Sequence, residues 1–109
     1  MNSTYEDFNK VEIKIGTITV AEIIPEADKL LRLEVDCGET EKRQIISGIR
    51  EFVENPEDLI GTQCPFITNI EPRKIRGYVS NGMILAAGNQ DSFAFLRPHK
   101  NIPPGTIVT

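Results

Sequence analysis

An all-β barrel of five strands is the fold this sequence predicts, and three observations predict it. The apolar residues are mostly Ile, Leu and Val, in runs of alternating parity. Seven Pro and eight Gly punctuate those runs as turns would. The phase of the first run changes by one residue at Gly16-Thr17. Such a slip at a Gly marks a β-bulge, which lets a long strand bend around a small barrel.

The elements follow in order. Val11, Ile13 and Ile15, then Ile18, Val20 and Ile24, form the long first strand. Pro25–Asp28 reads as a turn. Leu31, Leu33, Val35 and Cys37 alternate with Arg32, Glu34 and Asp36 in a half-buried second strand. Gly38–Glu41 is a hairpin loop, and Gln44–Ile49 the third strand. In Asn55–Gly61 a capping residue, a Pro at the first helical position, two acids and a closing Gly spell a short helix. Cys64, Phe66, Thr68 and Ile70 alternate in the fourth strand, where Pro65 points to an edge position or a bulge. Met83–Ala87 is the fifth strand. Phe93 and Phe95 mark a further short strand, and Pro103-Pro104-Gly105 turns into a last apolar stretch, Thr106–Val108. Three strands, a short helix between strands 3 and 4, and two more strands match the OB-fold, a five-stranded Greek-key barrel. The competing reading is another small barrel or sandwich.

At 109 residues the chain is expected to form one domain, 1–109, with a barrel over about 8–88 and a C-terminal extension over about 89–109. No apolar run approaches the roughly 20 residues of a membrane span, and the N-terminus has no apolar signal segment. A cytoplasmic location is therefore expected. Cys37 and Cys64 are widely separated, and His99 is the only histidine. Metal and other cofactors are not expected, and two reduced core thiols are. No Ser–His, Cys–His or paired-carboxylate arrangement stands out, so the chain does not read as an enzyme.

The net charge of −4 argues against a generic polyanion binder. The charges are segregated, however. Residues 1–28 carry six acids against two bases, whereas residues 61–100 carry five bases against two acids. The basic part centres on Thr68–Ala87, where Arg73, Lys74 and Arg76 crowd into a short hairpin beside Ser80, Asn81 and Met83. Cations next to small polar groups and one adaptable apolar side chain suit a phosphate backbone and a splayed base. A solvated hairpin with a chance cluster of cations has the same composition.

Five motifs carry a resemblance across Phe8–Val108. They are Phe8-x-Lys10-Val-Glu-Ile-x-Ile-Gly16, Ala27-Asp28-Lys29-Leu30, Arg43-Gln44-Ile-Ile-Ser47-Gly48, Asn69-Ile-x-Pro72 and Ser80-x-Gly82-Met83. In this order and spacing the chain resembles the stand-alone tRNA-binding domain. That domain is similar to the C-terminal appendix of bacterial methionyl-tRNA synthetase and to CsaA, the export-related chaperone-like protein. The resemblance implies an OB-fold, a cytoplasmic homodimer, and structure-specific, sequence-tolerant binding of tRNA, acting alone or in trans with a tRNA synthetase. The alternative it implies is a CsaA-like chaperone for unfolded or pre-secretory polypeptides.

Carried onto this sequence, the RNA-binding positions are Lys29, Arg43, Gln44, Ser47, Asn69, Arg73, Lys74, Arg76, Ser80 and Met83. Lys and Arg suit phosphates. Ser, Asn and Gln suit 2′-hydroxyls and base edges, and Met83 a base or ribose face. The residues alone also allow Lys29 to solvate a turn, Ser47 and Ser80 to bond local backbone, and Met83 to be core.

Overall fold

The computed structural model describes residues 1–109. A one-turn helix, α1 (Tyr5–Asn9), precedes the barrel; the pattern of apolar residues does not announce it. Thr4 Oγ1 caps it, accepting from the Asp7 amide at 3.0 Å. None of its residues is buried.

The first strand, β1 (Ile13–Ile23), serves two partners. Its first half pairs antiparallel with β4 (Gln63–Ile67) and its second half with β2 (Leu31–Asp36). The buried face changes parity at Gly16, as the sequence pattern requires, but the bulge itself lies at Thr19. There the register against β2 slips between Ile18 and Val20. Gly16 has a different reason to be glycine. A Cβ at this position would stand 2.5 Å from Val35 Cγ1 and 3.0 Å from Phe66, so inward side chains of both flanking strands, β2 and β4, fill the space in front of Gly16.

After β2, β3 covers Arg43–Ser47 and stops two residues earlier than Gln44–Ile49 implies. The helix expected at Asn55–Gly61 is a 3₁₀ turn over Pro56–Leu59, preceded by another over Arg50–Phe52, and Asn55 makes no capping bond. Such a short segment closes around its one buried residue, Leu59. The fourth strand ends at Ile67 rather than Ile70. Pro65 lies in its interior, opposite Ile15. Its carbonyl accepts from Leu85 and its nitrogen faces the same side, so the return bond it cannot make falls just beyond the two-residue β7 (Met83–Ile84), where the ladder stops.

Between β4 and β7 the chain folds out as a hairpin, β5 (Arg73–Ile75) and β6 (Tyr78–Ser80). The single fifth strand expected over Met83–Ala87 is broken at Leu85. Its second part is β8 (Ala86–Gly88), which pairs with β9 (Phe93–Phe95). The main sheet runs β3-β2-β1-β4-β7 and curls into a nearly closed all-β barrel of the OB type. Ile18, Leu31, Leu33, Val35, Cys37, Ile45, Cys64 and Phe66 fill it, each under 2% exposed. Both cysteines are buried free thiols, as their parity implies.

The C-terminal residues complete the wall. Phe93 stacks on Phe52 with ring centroids 4.3 Å apart, and Phe95 meets Phe93 edge-on at 5.1 Å. Gln63 bonds the backbone of Ile102 through both ends of its amide. Ile13 and Ile15 then exchange backbone bonds with Gly105, Thr106 and Val108. No helix is long and apolar enough to cross a membrane.

Candidate nucleic-acid interface

The basic hairpin is built for display. Arg73 pairs with Ser80, Lys74 with Val79 and Ile75 with Tyr78. The two-residue turn between the strands is Arg76-Gly77, both left-handed, with φ of 53° and 85°. This mirror-image turn matches the twist of the flanking strands, and Gly adopts it without steric cost. Ile75 and Tyr78 pack on a small second core of Ile24, Ala27 and Ile46, outside the barrel, with Leu30 beside them.

At the free edge of β3, side chains replace a regular ladder. The Ile46 amide donates to Ser80 Oγ at 2.9 Å, Gln44 Nε2 donates to the Val79 carbonyl at 2.9 Å, and the Asn81 amide donates to the Gln44 carbonyl at 2.7 Å. These bonds bring β6 against β3 and nearly close the barrel.

The ten residues expected at the interface fall into two groups. Lys29, Arg73, Lys74 and Arg76 are exposed and form no ion pair within the chain. Arg73 and Met83 share a cleft of about 50 Å³ with Ile46, Ile75 and Glu71. Met83 is 41% exposed, not core. Lys29 and Arg76 share a second cleft of about 380 Å³, where Glu26 and Asp28 make the charge mixed. Ser47, half-buried, is the last residue of β3.

The polar atoms of the other four are bonded within the protein, Asn69 while remaining exposed. Arg43 binds Glu39 through two nitrogens and the carbonyls of Thr68 and Asn81 through the third. The pairing lowers the Glu39 carboxyl below its ordinary range and raises the guanidinium. Gln44 bridges Arg32 and Val79. Asn69 accepts from the Glu12 amide and donates to the Lys10 carbonyl, both at 2.7 Å. Ser80 is buried, and its hydroxyl also donates to the Gly82 carbonyl.

Sequence reasoning missed the anchors Ile75 and Tyr78, and it missed Arg32. The signal for Arg32 was its outward parity on β2 among Glu34 and Asp36. No group of three or more His, Cys, Asp or Glu side chains gathers to hold a metal.

A small OB-type barrel that displays unpaired cations on a docked hairpin is a binding module whose chemistry suits a polyanion. Residues 13–107 match the family described as "Putative tRNA binding domain", and the chain belongs to that family. It is 48% identical over 106 residues to a methionine–tRNA ligase of Methanococcoides burtonii and 52% identical over 103 residues to that of Methanoregula boonei. These matches cover 96% and 94% of the chain but 15% of each relative, so the chain spans a small part of the curated relatives it matches. Among solved structures, a MetRS related protein from Pyrococcus horikoshii superposes with a TM-score of 0.91 at 32% identity, covering 100% of this chain and 99% of that one. The chaperone CsaA from Bacillus anthracis superposes with a TM-score of 0.88 at 33% identity, over 100% of both chains.

Proposed function

We propose that this chain binds tRNA by shape and with tolerance of sequence, as a cytoplasmic homodimer that acts alone or in trans with a tRNA synthetase. The family is a tRNA-binding one, not a catalytic one. The observation that carries the reading is the display of Arg73, Lys74 and Arg76, unpaired, on a hairpin already docked on Ile24, Ala27 and Ile46. A pre-docked element loses little conformational freedom on binding. Arg73, Lys74, Arg76 and Lys29 are the phosphate contacts, and Met83 and Ser47 face the ribose or base. Arg43, Gln44, Asn69 and Ser80 act by holding the surface in shape.

The test is a salt titration of tRNA binding. Replacing Arg73, Lys74 and Arg76 together by Ala should weaken binding and flatten the log–log salt dependence by up to about three units. Met83→Ala should weaken it by about 1–2 kcal/mol with little change in slope. Wild-type affinity and slope in the triple variant would remove the hairpin from the interface.

A second reading, a CsaA-like chaperone that binds unfolded or pre-secretory polypeptide, finds support in exposed Tyr5, Phe8, Val11, Ile107 and Val108, which line one cleft of about 350 Å³. A peptide groove through Ile75, Met83 and Phe93 finds none, because Phe93 is stacked on Phe52 and lines no cleft with the other two. We assign the Tyr5–Val108 face to the homodimer contact, since apolar surface of this kind is the usual material of a two-fold interface.

A further inference from the structure

We propose that Arg32 is a positioning residue for the basic hairpin: acting through Gln44, it fixes the return strand β6 at the edge of β3. Its bearing on affinity rests on the tRNA-binding reading above; the mechanical part does not.

Arg32 sits on the outer face of β2 and spans three strands. Nη1 donates to Glu22 on β1 and Nη2 to Glu34 on β2, each at 2.6 Å, while Nε donates to Gln44 Oε1 on β3 at 2.7 Å. The guanidinium is thus pinned by two carboxylates with its third edge turned to the amide. A planar fork makes these contacts together; an ammonium does not.

The consequence falls on Gln44. An amide has one accepting and one donating end, and the Arg32 Nε–H takes the accepting end. The donating end, Nε2, must then face the Val79 carbonyl, which it reaches at 2.9 Å. β6 is only three residues long, and a three-residue hairpin is marginal without lateral support. Its lateral bonds to β3 include two side chains, Gln44 and Ser80. Arg32 therefore decides whether one of these can form. Two carboxylates surround its single charge, so it has no free charge to offer a phosphate.

The experiment combines amide hydrogen exchange of free protein with salt-dependent binding of an unfractionated tRNA preparation. Arg32→Lys keeps the net charge and removes the fork. Exchange over residues 73–80 should rise about tenfold while the barrel strands keep their protection, and affinity should fall about tenfold with an unchanged salt slope. In a Gln44→Met background, Arg32→Lys should change neither quantity further, because its route of action is gone.

Wild-type exchange over residues 73–80 in Arg32→Lys overturns the proposal, whatever the RNA result. So does a further loss in the Gln44→Met background, which would mean that Arg32 acts directly. So does faster exchange with unchanged affinity, provided the triple hairpin variant has lost binding. If the triple variant itself binds like wild type, the interface reading fails, and the exchange data still decide whether Arg32 holds the hairpin.

Discussion

Ser80 Oγ stands 2.9 Å from the Ile46 amide nitrogen and accepts its hydrogen bond where a neighbouring strand would offer a carbonyl. One buried hydroxyl thus joins the hairpin that displays the cations to the strand that anchors it. Ser80→Ala leaves the Ile46 N–H buried without a partner, at a cost of about 1–3 kcal/mol. Denaturant unfolding should show that loss. Binding of tRNA at temperatures where the variant is folded should weaken with an unchanged salt slope. A variant as stable as wild type would show that water replaces the hydroxyl.

Gly16 reports on how tightly the barrel closes. Gly16→Ala puts a methyl 2.5 Å from Val35 Cγ1 and should destabilise by about 1–3 kcal/mol. Val35→Ala in the same chain should recover part of that loss, a non-additivity that a double-mutant cycle measures. Strict additivity would place the strain elsewhere.

The two thiols behave as core atoms. Burial raises both, Cys37 to about 11. Alkylation of native protein should therefore be slow. Because the folded Cys37 thiol holds its proton above the unfolded value near 9, stability should be level below about pH 9 and decline as the pH rises toward about 11. Cys37→Ala should reduce that alkaline slope to the part that Cys64 contributes, while losing about 1–2 kcal/mol at neutral pH.

At the acid end the sign reverses. The Thr68 hydroxyl lowers the Glu12 carboxyl, and the Arg43 guanidinium lowers that of Glu39. Both carboxylates are favoured in the folded state, so their contribution is present above the unfolded value of 4.5 and is lost as the pH falls below it. Thr68→Val should reduce the acid dependence of unfolding, measured between about pH 5 and 2. An unchanged profile would assign that dependence to other carboxylates.

Assembly and folding should separate by residue. Phe8→Glu alters an exposed side chain on α1, whereas Phe93→Ala removes a ring stacked on Phe52. Sedimentation of the wild type at micromolar concentration should give about twice 12.2 kDa. Phe8→Glu should give the monomer with its fold intact. Phe93→Ala should lose about 3 kcal/mol of stability and remain dimeric while folded. A wild-type monomer would remove the two-fold contact from the proposal.

The sequence by itself determined the barrel, because each strand's inward face is written locally. The parity of Leu31, Leu33 and Val35, the phase change beside Gly16 and the Arg76-Gly77 turn require nothing from distant residues. It also determined that three cations stand together, since Arg73, Lys74 and Arg76 share one short hairpin. Only the tertiary structure decided which polar side chains remain available to a ligand. Asn69 spends its amide on Lys10 and Glu12, Ser80 spends its hydroxyl on Ile46, and Gln44 is held between Arg32 and Val79. The physical reason is that a side chain already bonded within the protein is held in one orientation, and only its remaining hydrogen-bonding capacity can meet a ligand. Whether an Asn, a Ser or a Gln can meet an RNA depends on partners that are 57 and 59 residues away for Asn69 and 34 for Ser80, and no local pattern records that separation.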